Sequence, residues 1–350
     1  MRSRGVFFTP LDTPGFRFAQ ERSHSMEKPT ITIGIAAEAR TRAIIDGRVE
    51  VEGYRIKVIH DSLSPGEQHH RFEQNEFDVC EFSTATFLRT HEVSRRFLAL
   101  PVFFTRGPRH RNIYIARTLS HPAGLKGKKI GLSRYGATAN VWSRGLLYDE
   151  FGLKTTDMRW YVSGHELFIG YDLPVTVERP EKPMQFGQDQ AHLGKLLSEG
   201  KLDAVIIPGD TGYPAIFGGG ETTREMERFP GVKSLIDDTD QIISYVRRSR
   251  IYPIMHTLAM TEGAVARYPD LPMKLTEAFR EAKKLSSQYM TAEEIAGYDR
   301  EKEVLGEDPY AYVLGPTEMT SLKALNRYQI EQGLMKRELD IPSLFVRGTI

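Results

Sequence analysis

Leu125-Lys126-Gly127-Lys128-Lys129-Ile130-Gly131-Leu132 decides the fold. A Lys- and Gly-rich turn feeds a short apolar run bounded by turn residues, the pattern of a buried strand. Ser133 to Gly136 then turns the chain into a helix predicted over Ala137–Phe151, stopped by Gly152 in the position of a C-terminal cap. Farther along, a helix from Leu193 to Ser198 ends at Gly200 and hands over to a buried strand, Leu202 to Ile207. Helices joining buried strands by short turns argue for α/β architecture with largely parallel pairing.

The same alternation extends toward the N-terminus. Thr30 to Ala36 is a β-branched run that suits a buried strand, Arg40 to Ile45 is a short helix candidate, and Tyr54 to His60 alternates as a second strand. Ser64-Pro65-Gly66-Glu67 carries a cap, a first-turn proline and a carboxylate in the capping-box position. Phe77 to Phe82 is again strand-like, and Ser83-Thr84-Ala85-Thr86 marks its handover to a helix. A basic cluster, Arg106 to Arg111, precedes a strand at Asn112 to Ala116. Residues 172–190, with Pro174, Pro180 and Pro183, read as an irregular loop. Tyr252 to Met260 is expected to cross back between lobes, followed by long helices over Leu271–Met290 and Thr317–Gln332.

Composition narrows the function classes. The 350 residues leave room for two domains, with 40% hydrophobic and 27% charged residues, as in globular proteins generally. Lys and Arg (47) nearly balance Asp and Glu (46), so no net field points to nucleic acid or an acidic membrane. The single cysteine, Cys80, closes neither a disulfide nor a Cys-based zinc site, and its apolar setting favours a small buried strand residue over a nucleophile. No apolar run approaches the roughly 20 residues that span a bilayer. Val6-Phe7-Phe8 is too short for a secretory signal, so residues 1–29 read as a disordered extension and the expected compartment is the cytoplasm.

A second set of motifs carries a family resemblance. Leu125 to Gly131 and the junction Leu197 to Ala204 resemble the second lobe of type II periplasmic binding proteins. Thr41-Arg42-Ala43 with Asp46 to Val49, Glu76 to Ser83, and Leu100 to Phe103 followed by Arg109-His110 come next. Asn140 to Gly145, Ile251 to His256 and Gly306 to Tyr310 complete the order. Together, across roughly residues 30–345, these are similar to the 4,5-dihydroxyphthalate decarboxylase family; the stretches 163–190 and 209–225 depart from its pattern. The resemblance implies a two-lobed, type II periplasmic-binding-protein-like α/β fold, each lobe a mixed sheet flanked by helices. Segments 30–117 and 253–350 are expected to build lobe one, and 118–252 lobe two.

The implied reaction is non-oxidative decarboxylation of an ortho-dicarboxylated catechol to protocatechuate and CO2, without NAD, flavin or pyridoxal phosphate. It calls for cations near the carboxylates, polar groups near the phenols, and an acid that protonates the ring carbon, most simply His. Arg42, between a strand end and a helix, suits bidentate carboxylate binding or a solvated helix start. Glu81 and Ser83 flank Phe82, where they orient phenolic hydroxyls or where Ser83 caps a helix. Arg109 and His110 form an anion-binding wall with a proton donor, or a solvated charge run. Arg134 and Thr138 lie where free N–H groups and the helix dipole attract anions. Trp142, four residues after Thr138, stacks on the substrate ring or packs in the core.

His256, at the crossing between lobes, is the preferred general acid, with His110 as runner-up; as a lone His in an apolar setting it equally fits a core residue. No metal is expected: His69-His70 are adjacent, and neither a His-Glu-x-x-His nor a cysteine set is present. Gly218-Gly219-Gly220 lacks the tail of a phosphate loop. The expected partner is a small aromatic carboxylate in the cleft between lobes; neither nucleic acid nor membrane is expected, and no sequence feature sets an oligomeric state. Two rivals share the fold: a non-catalytic solute-binding protein for an aromatic or other small carboxylate, and a related enzyme acting on another hydroxylated aromatic acid.

Overall fold

Strand formation follows the buried apolar runs. In the computed structural model, which describes residues 27–60, 64–116, 119–166, 168, 170–185, 188–209, 216–217 and 221–350, these runs assemble into two sheets. The strands are β1 (Thr30–Gly34), β2 (Arg55–Ile59), β3 (Val79–Ser83), β4 (Phe97–Leu100), β5 (Ile113–Ala116), β6 (Lys129–Leu132), β7 (Arg159–Val162), β8 (Val177–Glu178), β9 (Ala204–Ile206), β10 (Val232–Ser234) and β11 (His256–Thr261). The helices are α1 (Arg42–Ile45), α2 (Pro65–Glu73), α3 (Thr84–Val93), α4 (Thr138–Phe151), α5 (Asp189–Ser198), α6 (Glu221–Glu227), α7 (Thr239–Ser249), α8 (Glu262–Arg267), α9 (Leu271–Lys284), α10 (Ala292–Leu305) and α11 (Pro316–Glu331). Residues 1–26, Thr118 and Gly218–Gly220, on which the extension, the lobe boundary and the glycine run were read, lie outside the described residues.

The first sheet runs in the order β2-β1-β3-β11-β4, and the second β10-β5-β9-β6-β7-β8. Each mixes parallel and antiparallel pairs: β1 is parallel to β2 and β3, whereas β11 runs antiparallel to both its neighbours. In the second sheet β6 is parallel to β7 and β9, and β5 is antiparallel to β9 and β10. Cys80 sits fully buried in β3, and burial drives its thiol pKa well up, as befits a packing residue.

The lobe boundary expected at 117/118 needs correction. β5 belongs to the second sheet, so the chain crosses earlier, between β4 and β5. Nothing local in Ile113-Tyr114-Ile115-Ala116 marks its sheet, because its partners β9 and β10 are distant in sequence. The return crossing runs beside the first: Arg106 and Ile254 form an antiparallel bridge, Gly107 N donates to Pro253 O (3.0 Å), and Met255 N donates to Thr105 O (2.8 Å). Buried Arg106 ties the paired crossings to α11 through Glu318 (2.6 Å).

Helix ends follow local chemistry. Ser64 accepts from Glu67 N to start α2, with Pro65 in its first turn. Gly152 ends α4 at φ 65°, a left-handed cap that a side chain would strain. Within α4, Gly145 lets Tyr328 of α11 approach; a Cβ there would lie 2.3 Å from the ring. That contact docks α4, which follows a strand of the second sheet, onto a helix that also packs against α3.

Candidate active site

A cavity of about 400 Å³ lies where carboxyl ends of strands from the two sheets face each other. Ser83 closes β3; Ser133 and Arg134 follow β6, His165 and Glu166 follow β7, and Pro208 and Gly209 follow β9. His256, the first residue of β11, lines the same space.

His256 and Glu81 meet because of strand register. His256 pairs with Ser83 and Leu258 with Glu81, so the two side chains are diagonal neighbours on one face. His256 Nδ1 lies 2.7 Å from Glu81 Oε1, while Glu81 Oε2 accepts from Ala36 N at 3.0 Å. Burial alone would raise the Glu81 carboxyl; the His256 hydrogen bond and charge outweigh it and hold the group below its ordinary value. The His256 side chain is 23% exposed against 4% for Glu81, so the pair presents an imidazole to the cavity and hides its carboxylate.

Ser83 and Thr138 join the lobes. Their hydroxyls are 2.9 Å apart, and Thr138 Oγ1 also accepts from Ala85 N at 3.1 Å. Ser83 caps α3 through Thr86 N and lines the cavity at once, so capping and exposure to a ligand coexist. Arg109 is 5% exposed, donates to Pro208 O at 2.8 Å, and forms a cationic part of the wall with Arg134.

Three residues singled out from sequence lie elsewhere. Arg42 is half-exposed on α1 and faces Asp46, 3.8 Å away, because this short helix turns the side chain outward. Trp142 is buried at 2% exposure, donates from Nε1 to Ile254 O (3.0 Å) and packs edge-on to Tyr328, so it braces the crossing instead of facing the cavity. His110 is fully buried against Tyr245, ring centroids 4.9 Å apart; burial and then Arg111 push its pKa down to about 3. A neutral imidazole outside the cavity does not suit a proton donor.

The cavity also brings in residues that the sequence reading did not assign to a substrate site. His69 of α2 packs edge-on to His256 (5.5 Å) and Phe82 (5.0 Å); burial, then the His256 charge, lower its pKa to about 3. Arg89 of α3 donates to Gly136 O (3.0 Å), Gln329 Oε1 (2.7 Å) and Thr86 Oγ1 (3.1 Å). Its spacing three residues after Thr86, on the helix capped by Ser83, was the available signal. Glu166 accepts from Tyr135 N (2.5 Å) and Gly136 N (2.7 Å), which occupies the very turn expected to bind a substrate anion. Among the described residues, no group of three or more His, Cys, Asp or Glu is placed to hold a metal ion, and no helix is long and apolar enough to cross a membrane.

Comparisons with known proteins accord with this architecture. No protein-family model matches the chain. A 4,5-dihydroxyphthalate decarboxylase of Comamonas testosteroni is 32% identical over 269 residues, covering 74% of this chain and 76% of that protein. Another, of Pseudomonas putida, is 33% identical over 187 residues, covering 52% and 72%. Among solved structures, the alkanesulfonate-binding protein SsuA of Xanthomonas axonopodis pv. citri, bound to MOPS, superposes with a TM-score of 0.54 at 12% identity, covering 91% of this chain and 98% of that one. The desulfurization enzyme DSZB gives 0.55 at 14% identity, covering 92% and 97%. The chain belongs to the 4,5-dihydroxyphthalate decarboxylase family and has the two-sheet α/β fold of the SsuA-type periplasmic binding proteins.

Proposed function

We propose that the protein is a carboxy-lyase that removes CO2, without oxidation, from a hydroxylated aromatic dicarboxylate of the 4,5-dihydroxyphthalate type, giving protocatechuate. The observation that carries this reading is the 2.7 Å His256–Glu81 pair, set in the wall of an inter-lobe cavity with Arg109 and Arg134. Family membership supports decarboxylation as the reaction class.

The chemistry then needs few parts. Arg109 and Arg134 attract the carboxylates, and Ser83 and Thr138 are placed to meet polar groups of the ligand. The ring hydroxyl para to the departing carboxylate pushes electrons toward the carbon that bears it. His256, held through Nδ1 by Glu81, delivers a proton from Nε2 to that carbon. The carbon–carboxylate bond then breaks, its electron pair restores the aromatic ring, CO2 leaves, and the neutral imidazole regains a proton from solvent. Glu81 orients the ring and leaves Nε2 for the substrate, the positioning role a buried carboxylate plays beside a catalytic histidine. Because the para hydroxyl supplies the electron push, this route calls for no organic cofactor.

The test is to mix purified protein with 4,5-dihydroxyphthalate and follow CO2 and protocatechuate. Equimolar release of both supports the reading. A second reading, a non-catalytic receptor for an aromatic carboxylate, is favoured by the likeness to SsuA. Saturable binding without either product would select it, whereas turnover of a different hydroxylated acid would keep the reaction and change the substrate.

A further inference from the structure

The turn ahead of α4 already holds a carboxylate. Glu166 Oε2 lies 2.5 Å from Tyr135 N and Oε1 2.7 Å from Gly136 N, so two consecutive backbone N–H groups grip one carboxyl. The Tyr171 hydroxyl is hydrogen-bonded to the same group. Arg89, which donates to Gly136 O, brings its guanidinium alongside. Gly136 permits this crowding: a Cβ there would meet Tyr171 Oη at 2.7 Å, Glu166 Oε1 at 2.8 Å and Arg89 Nη2 at 3.2 Å. Glu166 also lines the cavity, so this internal ion competes for the space and charge that a ligand carboxylate would seek.

We propose that Glu166 is a specificity residue of the cavity: its carboxylate fills the anion-binding turn at Tyr135–Gly136, and thereby weakens the binding of any ligand carboxylate that reaches for that turn. The inference rests on the reading of the cavity as an aromatic-acid site for its choice of ligands, but the occupancy itself is independent of it. Two carboxylates side by side repel, and displacing Glu166 sacrifices charge-assisted hydrogen bonds. A ligand whose second carboxylate reaches past Arg109 and Arg134 to the turn meets this competition and one with a single carboxylate does not, so Glu166 restricts which dicarboxylates the cavity accepts.

The experiment uses Glu166→Ala and, to keep the side-chain shape, Glu166→Gln. Acetate is the first probe, in thermal unfolding of each protein. An emptied turn accepts acetate, so acetate should raise the melting temperature of Glu166→Ala and leave the wild type nearly unmoved; equal responses overturn the proposal. Phthalate and benzoate, which carry no ring hydroxyl, are the second probes, by calorimetry. Both variants should shift the affinity ratio toward phthalate by about tenfold, the scale of one charge-assisted hydrogen bond. An unchanged ratio, or one shifted toward benzoate, overturns the specificity claim. Acetate rescue with no binding of either aromatic acid by any of the proteins would leave Glu166 as occupant of the turn, overturn its claimed role in aromatic selectivity, and refute the aromatic-acid reading separately.

Discussion

His256 Nδ1 lies 2.7 Å from Glu81 Oε1, across two antiparallel strands on which the residues are diagonal neighbours. The pairing fixes which ring nitrogen faces the carboxylate and leaves Nε2 for chemistry. Ala36 N holds the other carboxylate oxygen, so Glu81 cannot swing without losing a backbone hydrogen bond as well.

Glu81→Gln should therefore damage catalysis while sparing binding. A neutral amide meets Nδ1 without the carboxylate's charge-assisted hydrogen bond and holds the ring less firmly, and kcat should fall about a hundredfold with KM little changed. Steady-state kinetics on the dihydroxylated dicarboxylate checks this; a rise in KM at constant kcat would assign Glu81 to ligand binding.

Arg109→Ala should show the opposite pattern. Anchored on Pro208 O, this buried guanidinium has little freedom and presents a fixed charge to the cavity. Its loss should raise KM by about ten- to a hundredfold, with Arg109→Lys recovering only part because an ammonium lacks the planar fork. Calorimetric affinity for phthalate provides the same comparison without turnover.

Thr138→Val should loosen the contact between lobes. It deletes the Ser83 partner and leaves Ala85 N without its acceptor. The expected cost is about 1–3 kcal/mol of unfolding free energy. Denaturant titration measures it, and small-angle scattering should report a larger radius if the lobes separate. Trp142→Phe should cost a similar, roughly 1–3 kcal/mol through loss of the hydrogen bond to Ile254 O, yet leave KM unchanged.

Acid stability should carry the mark of His110 and Glu81, beside that of His69, whose pKa burial also lowers to about 3. His110 falls from an ordinary 6.5 to about 3 in the fold because burial, then Arg111, oppose its charged form. Its neutral-state stability is complete above 6.5 and is lost as pH falls toward about 3. Glu81, held below its unfolded value, adds stability above 4.5 that disappears as pH drops through its folded value. His110 ring resonances should not titrate between about pH 5 and 8. Replacing His110 with Leu should flatten the loss of unfolding free energy between about pH 7 and pH 5.

Much of this architecture is legible in the sequence because it is written locally. The runs at Thr30, Val79, Lys129 and Ala204 carry their burial in β-branched and aliphatic residues, and Gly152 marks the end of α4. Ser83, Arg109, Arg134, Thr138 and His256, which line the cavity, and Glu81, which pairs with His256, stand out in the sequence because strand ends and helix starts are visible as residue types. Their pairing was not visible. That depends on the register of β3 against β11, which joins residues 175 positions apart. The sheet that receives β5 is hidden for the same reason. Arg42 and Trp142 obey the local pattern, but the direction of each side chain is set by tertiary packing. Glu166 escaped because an acidic residue in a loop has no local sign of the turn it will fill.

The most direct measurement compares wild type with His256→Asn for product formation from 4,5-dihydroxyphthalate in D2O, with ligand affinity measured on both proteins. The wild type should give protocatechuate bearing one deuterium at the vacated ring carbon. In the variant kcat should be lower by about a hundredfold or more, with affinity largely retained. A variant that forms product at the wild-type rate would remove His256 from the proton transfer.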